Sequence, residues 1–540
     1  MGLIGTPGRI GNLQLSGRCV FPAMLMNFAT DRGEVTDRLI HFYRRLARGG
    51  FAMIVTECVF PQFKGGIATR GLALYDDRFI PGFMRLASAV KAEGSRLCVQ
   101  LFFDGAGRTF ASEETVSIGP SDLTPYNGPF MRPMTEAEME QMIADFAAAA
   151  RRAQAAGADA IELHMGHGHL LGRFLSPHFN RRQDAYGGSI ENRMRFPLQV
   201  LDRVRDAVGQ DMPITARLCM TERIDGGIDL REAIAIGQRL RAAGLDAVHT
   251  SAGTGTTPLG LASIFPTSFA PETPFAEMAA QFKREAEITT IFAGKVSQPE
   301  TAARLLDSGA VDFVSVGRAA LADPDWPRRA AEKRAVVPCI ACNQGCADQL
   351  IARKEITCLV NPTVGFENDF AQAEPLKKSD RFVVIGAGVG GLVCALSLAE
   401  RGAQVVLYET SDQIGGLYRY ASRAPGKQQY DLYLAYLRDR LSRSSIDVRL
   451  SSAPDAAAHE TDAAGMFWAA GSVPRPWSKG RFEAPIVSGW ECFDHAFGRA
   501  KQRLIVVGAG QVGCDAALWL AELGHSVTLV DQAQDPLAFS

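Results

Sequence analysis

The sequence predicts an α/β protein: an N-terminal TIM (β/α)8 barrel, then a cysteine-rich segment, then Rossmann-like nucleotide-binding domains of which the last is incomplete. Three observations carry that prediction. Eight short apolar runs, each followed by a loop and a helical pattern, repeat through residues 1–335. Two segments beginning at Arg381 and Arg503 share one strand–glycine turn–helix–strand design. Four cysteines sit together between these two regions. The 540 residues suffice for several domains of roughly 150 residues each.

The candidate barrel strands are Cys19–Ala23, Phe51–Thr56, Arg96–Phe102, Ala160–His164, Pro213–Leu218, Ala247–Ser251, Thr290–Ala293 and Phe313–Val316. Amphipathic stretches such as Glu136–Ala156, Ile190–Val208 and Leu230–Ala243 separate them. Continuously apolar strands alternating with helices imply parallel pairing and burial on both faces. An open doubly wound sheet is the alternative, and eight regular units favour closure. In a closed barrel the chemistry lies at the C-terminal strand ends. There the sequence carries Glu57, Gln100, His164, Arg217, His249 and Arg318. Each of these could equally be a satisfied polar group capping the barrel rim.

Composition narrows the function classes. Lys and Arg number 57 against 59 Asp and Glu, a formal charge of −2, without the basic excess of a nucleic-acid binder. With 47% hydrophobic and 21% charged residues, the chain reads as folded and globular. No apolar run reaches the length of about 18 residues that a membrane span needs. The opening segment lacks the apolar core of a signal peptide, and its loose match to a myristoylation pattern at Gly2 and Thr6 is of a kind that recurs by chance. Eleven cysteines in a chain this long are no disulfide scaffold. The expectation is a cytoplasmic metalloprotein with a small-molecule substrate, neither a membrane nor a nucleic acid as partner, and an oligomeric state the sequence leaves open.

Cys339, Cys342, Cys346 and Cys358 follow the spacing C-x2-C-x3-C-x11-C. Four thiolates bind an iron–sulfur cluster or a structural zinc. The asymmetric spacing leans toward iron–sulfur, because zinc usually takes two similar C-x2-C knuckles. Gly386, Gly388 and Gly391 form a GxGxxG turn after an apolar strand, and Glu409 closes the next strand. The glycines let the backbone approach a pyrophosphate, and the acid accepts a ribose hydroxyl. Gly508, Gly510 and Gly513 repeat the design with Asp531. An acid there favours NAD over NADP, whose 2′-phosphate would meet a negative charge.

His164, His167 and His169 follow the fourth barrel strand. Two imidazoles three residues apart could donate to one carbonyl or anionic oxygen, bind a metal, or pack at the rim. Gly294–Lys295 and Gly317–Arg318 follow strands seven and eight, where barrels of this type hold phosphate.

The segment FLSPHFNRRQDAYGGSIENRMRF, Phe174–Phe196, resembles the Old Yellow Enzyme signature. Barrel, cysteine cluster and two nucleotide turns in this order resemble the longer branch of that family, which includes 2,4-dienoyl-CoA reductase, 2-enoate reductase and trimethylamine dehydrogenase. CIACNQGCADQL, Cys339–Leu350, is similar to the dienoyl-CoA reductase type, and this resemblance implies a [4Fe–4S] cluster on the four cysteines. It also implies FMN in the barrel, lined by Pro22, Ala23, Met24 and Cys58. Gln100 would meet the pyrimidine edge, and Arg217 the N1–C2 carbonyl region. Gly294, Lys295, Gly317 and Arg318 would surround the phosphate. FAD, or an ADP moiety, would occupy the Gly386 turn, with GSVPR, Gly471–Arg475, similar to a segment of that domain. The implied relay runs from NAD(P)H through FAD and the cluster to FMN, which reduces the C=C bond of an α,β-unsaturated carbonyl compound. His164 and His167 would hold the carbonyl.

Two departures qualify the resemblance. The family's proton donor is a tyrosine two residues after the second histidine, and here that position is His169, expected to act as an imidazolium. Relatives also continue further, so the chain reads as truncated in its last domain. The expected domains are 1–335 for the FMN barrel, 336–375 for the cluster segment and linker, 376–500 for the FAD domain and 501–540 for an incomplete NAD(P) domain. The competing readings are an amine dehydrogenase or N-demethylase, and a truncated electron-transfer module.

Overall fold

The computed structural model describes residues 2–62, 70–107, 116–122, 131–453, 463–473, 486–494 and 501–532. Two compact units divide the chain, Met1–Ala371 and Gln372–Ser540. The four-cysteine segment therefore belongs with the barrel unit.

In the first unit eight parallel strands run β1 (Cys19–Phe21), β2 (Met53–Val55), β3 (Arg96–Leu101), β4 (Ala160–His164), β5 (Ile214–Cys219), β6 (Ala247–Ser251), β7 (Thr289–Ala293) and β8 (Phe313–Ser315). Each pairs with the next, and the ring closes where Val314 and Ser315 of β8 lie opposite Cys19 and Val20 of β1. Closure excludes the open-sheet alternative and leaves the barrel with no free edge. The expected strands are all present, with ends displaced by a residue or two.

The barrel is built in two apolar layers. Inside it, Val20, Met53, Cys98, Ala160, Ala247, Ile291 and Phe313 form one cluster. A hairpin, Gly8–Ile10 against Leu13–Leu15, contributes Ile10 and Leu15 to that cluster. The second layer lies between strands and helices. Helix α1 (Asp37–Arg48) buries Leu39, Phe42, Tyr43 and Leu46 along one stripe, the spacing of an amphipathic helix. Thr36 caps it by accepting from Leu39 N at 3.2 Å, a contact worth about 1 kcal/mol. Phe21 meets Phe42 and Phe51 edge-on, at 6.0 and 5.9 Å. Helices α2 (Ile80–Ala92), α3 (Glu136–Ala155), α4 (Ile190–Val208), α5 (Leu230–Ala242), α6 (Ala276–Ala286) and α7 (Pro299–Asp307) continue the ring. A capping box starts α3, where the Thr135 side chain accepts from Glu138 N and the Glu138 carboxylate from Thr135 N.

The second unit holds a parallel sheet of β9 (Arg381–Ile385), β10 (Gln404–Tyr408), β11 (Asp447–Arg449) and β12 (Gly465–Trp468), in the order β11-β10-β9-β12. Helix α8 (Val389–Glu400) connects β9 to β10, and α9 (Gln428–Ser442) leads to β11. A separate two-stranded parallel sheet, β13 (Arg503–Val507) and β14 (Ser526–Val530), flanks helix α10 (Gln511–Glu522). Ile505 and Val507 of β13 are 71% and 61% exposed. Of the expected segment Gly471–Arg475, Pro474 and Arg475 lie outside the described residues, as do 533–540. Among the described residues no helix is long and apolar enough to cross a membrane.

Candidate active site

The C-terminal ends of the barrel strands enclose a cavity of about 530 Å³. Pro22, Ala23 and Met24 enter it after β1, and Cys58 and Phe60 after β2. Gln100 of β3 and Phe102 just after it follow, then His164 at the end of β4 and His167 and His169 in the turn beyond. Arg217 of β5, Ser251 of β6, Gly294 and Lys295 after β7, and Gly317 and Arg318 after β8 complete the ring. Every barrel residue proposed from the sequence for FMN or substrate thus faces one space. Two of the expected rim residues do not. Glu57 and His249 are fully buried behind the cavity wall.

The three histidines are packed ring to ring. His164 Nε2 and His167 Nδ1 lie 3.3 Å apart. The His169 ring stands 4.7 Å from that of His164 and 4.5 Å from that of Phe102, centre to centre. One ligand nitrogen of each lies within 4.8 Å of the others, close enough for a metal site. The hydrogen bonds favour the oxygen-binding reading instead. Gly166 N donates to His164 Nδ1 at 3.3 Å, so the proton of a neutral ring sits on Nε2 and faces His167 Nδ1. A metal needs a lone pair there.

Burial, then Arg217, lowers His164 to about 3. Burial, His164 and Arg217 hold His167 well below its ordinary value. His169 is lowered by burial, then by His164 and Arg173. The last result corrects the expectation of an imidazolium at 169, because the ring is neutral near pH 7. A proton leaving His169 must come from a neutral N–H.

Under the histidines lies a buried polar network the sequence reading had not singled out. Gln100 Nε2 donates to Glu162 Oε1 at 2.8 Å. Glu162 Oε2 accepts from Thr215 Oγ1 at 3.2 Å and meets His249 Nδ1 at 2.9 Å. Burial alone would raise the Glu162 carboxyl, but His249, Arg217 and Gln100 outweigh it and pull it down to about 2. His249 is held neutral by burial and by Arg217, so its Nδ1–H donates to the carboxylate. With its amide nitrogen on Glu162, Gln100 leaves its carbonyl oxygen to Cys58, 3.6 Å away, and to the cavity. A carbonyl acceptor is what the N–H of a flavin's pyrimidine edge requires. The available signal was Glu162 itself, a charge inside the apolar run of β4.

Glu57 accepts from Met26 N at 2.7 Å, and its other oxygen has no hydrogen-bond partner among the described residues. Burial raises it to about 8. In the unfolded chain such a carboxyl ionises near about 4.3. Folding therefore opposes ionisation: the stability is whole below the unfolded value and is lost as pH climbs from there toward the folded one. The melting temperature of Glu57→Gln is expected to fall less than that of the parent between about pH 5 and about pH 8. Calorimetry at a series of pH values checks this, and parallel curves would refute it.

At the other end of the cavity, Ser315 Oγ is buried without a hydrogen-bond partner among the described residues, and Ser315 lines the space beside Gly317. A Cβ on Gly317 would lie 3.0 Å from Met24 Sδ, so glycine keeps that wall open. These features fit a phosphate, with Ser315 and backbone amides as donors. The Lys295 ammonium does not point freely at it. Nζ donates to Thr267 O at 2.9 Å and to Ala270 O, and so ties down the loop after β6. Arg318 Nη1 donates to Asn343 Oδ1 at 2.6 Å, and Asn343 Nδ2 to Phe265 O at 2.9 Å. Asn343 was not foreseen.

Arg318 also borders a second, smaller cavity of about 20 Å³, lined by Cys339, Cys342, Cys346 and Cys358. All four expected ligands thus surround one space. Cys339 and Cys346 line both cavities. The loop turns tightly enough to put Ala341 and Asn343 at φ of 50° and 63°. Four thiols about one small void fit a thiolate-held cluster.

In the second unit, Gly386 adopts φ 102°, and a Cβ on Gly391 would sit 1.8 Å from Gly386 O. Only glycine permits that turn, which brings backbone N–H groups and the start of α8 to one place, as a pyrophosphate requires. Glu409 Oε2 accepts from Ala387 N at 2.7 Å and so also braces the turn. The second turn is built alike: Gly508 has φ 103°, a Cβ on Gly513 would sit 1.7 Å from Gly508 O, and Asp531 accepts from Ala509 N. Gly388 and Gly510 stand at the N-caps of α8 and α10.

Comparison with known proteins agrees with this geometry. Residues 4–336 match the NADH:flavin oxidoreductase / NADH oxidase family, and residues 380–540 the pyridine nucleotide-disulphide oxidoreductase family. The chain is 37% identical to an NADH oxidase of Thermoanaerobacter brockii, over 98% of this chain and 82% of that protein. It is 31% identical to an N,N-dimethylglycine/sarcosine dehydrogenase of Chromohalobacter salexigens, over 97% of this chain and 78% of that one. The solved structure of 2-naphthoyl-CoA reductase with 2-naphthoyl-CoA is similar with a TM-score of 0.91 and 28% identity, covering 99% of this chain and 83% of that one. With a family model matched over residues 4–336 and a relative 37% identical over nearly the whole chain, the chain belongs to the NADH:flavin oxidoreductase / NADH oxidase family.

Proposed function

We propose that this oxidoreductase reduces the C=C bond of an α,β-unsaturated carbonyl compound at the barrel cavity. The carrying observation is the His164 Nε2–His167 Nδ1 pair, 3.3 Å apart at the strand ends. Two neutral imidazoles side by side in the cavity wall suit a carbonyl oxygen that gains negative charge as hydride reaches the β-carbon. FMN would be held by Pro22, Ala23, Met24, Cys58, Gln100, Arg217, Gly294, Gly317 and Arg318, with the Lys295 backbone alongside. The four cysteines would hold a [4Fe–4S] cluster, the Gly386 turn with Glu409 FAD or ADP, and the Gly508 turn with Asp531 NADH. Bound in these places, the groups supply hydride transfer at the barrel and one-electron transfer between flavins.

The chain's own residues do the rest. His164 and His167 orient the carbonyl and stabilise the enolate. Phe60 and Phe102, with rings 5.5 Å apart, present an apolar edge for the rest of the substrate. His169, packed on Phe102, would deliver the proton to the α-carbon as a neutral donor.

Amine oxidation is the second reading, favoured by the similarity to a dimethylglycine/sarcosine dehydrogenase.

The test is anaerobic. The protein is chemically reduced, a simple enone is added, and the flavin absorbance is followed. Rapid return of the oxidised band is the expected result. No return with flavin and iron present, together with reduction of the oxidised protein by a tertiary amine, would overturn the proposal in favour of amine oxidation.

A further inference from the structure

Asn343 has no role in the reaction outlined above, yet it joins three parts of the barrel unit. It stands between Cys342 and Cys346 in the chain and is buried, at 8% exposure. Its Oδ1 accepts from Arg318 Nη1, just after β8, at 2.6 Å, and its Nδ2 donates to Phe265 O, beyond β6, at 2.9 Å. Both partners are one-way groups, because a guanidinium only donates and a carbonyl only accepts. The amide is therefore held in a single sense. The backbone oxygen of Asn343 accepts from Cys346 N at 3.3 Å and from Asp348 N at 3.0 Å, so the same residue also starts the turn that carries Cys346.

The group held by the amide is a cation. Among the described residues, the Arg318 guanidinium meets no carboxylate, and Asn343 is the side chain it donates to. An amide oxygen fixes a guanidinium without cancelling its charge, whereas a carboxylate would do both. Arg318 borders the small space among the four cysteines as well as the larger barrel cavity.

Resting on the reading of the four cysteines as a cluster site, we infer that Asn343 is a positioning residue that holds the uncompensated charge of Arg318 beside the cluster and so raises the cluster's reduction potential. One electron entering the cluster adds one unit of negative charge. A cation fixed next to it stabilises the reduced form more than the oxidised form. Partial burial leaves that charge less screened than a charge on the open surface. Without the amide, the long arginine side chain is free to turn away, and its effect on the cluster falls with distance and hydration.

The backbone at Asn343, with φ 63°, selects the test. Glycine adopts this conformation freely, so Asn343→Gly removes the amide without straining the loop. The exchange is neutral for neutral, and a shift in potential therefore reports movement of the Arg318 charge.

The experiment uses the full chain with FMN in excess, poised at a series of potentials with dithionite. Cluster reduction is read by electron paramagnetic resonance, with iron and acid-labile sulfide as the control for cluster content. In Asn343→Gly, the ratio of reduced to oxidised cluster at the parent's midpoint is expected to fall about tenfold, a downward shift of about 59 mV for one electron. Arg318→Leu is expected to lower the midpoint at least as far, and Asn343→Gly added to it is expected to change nothing more. Asn343→Asp tolerates the same backbone and sets a carboxylate against Arg318, so its midpoint is also expected to fall. It is the variant to read if the glycine variant loses iron. An unchanged midpoint in the variant that keeps its iron, or an equal further fall once Arg318 is gone, would overturn the role of Asn343. A parent without iron, sulfide and a reducible signal would overturn the cluster reading beneath it.

Discussion

Enone-dependent reoxidation of the reduced flavin is expected to slow by about 10³-fold or more when His164 and His167 are both replaced by alanine. Loss of one donor from such an oxygen-binding site costs about 10²–10³ in rate, and losses within one unit do not simply add. The size of the effect follows from the setting. Burial keeps both rings neutral, which removes any competing ion pair, and in a water-poor cavity a hydrogen bond to developing charge is worth more than in water. Stopped-flow absorbance on chemically reduced protein measures it, with flavin content as the control for folding. Rates within a factor of about three of the parent would remove these residues from the mechanism.

The second large effect concerns electron supply. Cys346 lines both the four-cysteine cavity and the barrel cavity, so it stands at the boundary between the two proposed redox groups. Cys346→Ser exchanges a thiolate for a much poorer ligand. The variant is expected to lose most of its iron and acid-labile sulfide. Since partners of ligands alone are worth about 10–100-fold in affinity, loss of a ligand should exceed that. NADH-driven turnover should collapse, while the chemically reduced protein should still be reoxidised by an enone at close to the parent rate. Full NADH-driven turnover in an iron-depleted variant would sink the cluster's place in electron supply. Zinc without sulfide in the parent would overturn the cluster's identity. The contrast with the histidine variant is diagnostic, because one change disables the oxidative half of the reaction and the other the reductive half.

Local chemistry made much of this site legible in advance. Each barrel strand announces itself as a short apolar run between a helix and a loop, so β4 could be placed at Ala160–His164 to the residue. Glycine turns are equally local, because only a residue without Cβ tolerates the approach of Gly391 to Gly386 O. Four clustered cysteines declare their chemistry by type and spacing. What escaped the sequence reading was non-local. The hairpin that places Ile10 and Leu15 inside the barrel consists of strands of three residues each, too short for a periodic signal. Glu162 drew no reading from the sequence, because its partners Gln100, Thr215 and His249 reach it from three other strands. The protonation state of His169 was misjudged because desolvation depends on packing, which the residue's neighbours along the chain do not reveal.

By itself, then, the sequence determined the barrel, the four-thiol set, the two nucleotide turns and the identity of the residues at the strand ends. These follow from hydrophobic period, glycine freedom and ligand type, all properties of short segments. Only the tertiary structure decided which of those residues share one space, that Glu57 and His249 lie behind its wall, and that Lys295 anchors a loop. It alone brought His164 and His167 side by side, because the groups that hold their rings, Gly166 N and Ser251 Oγ, converge from different strands and loops once the barrel has closed.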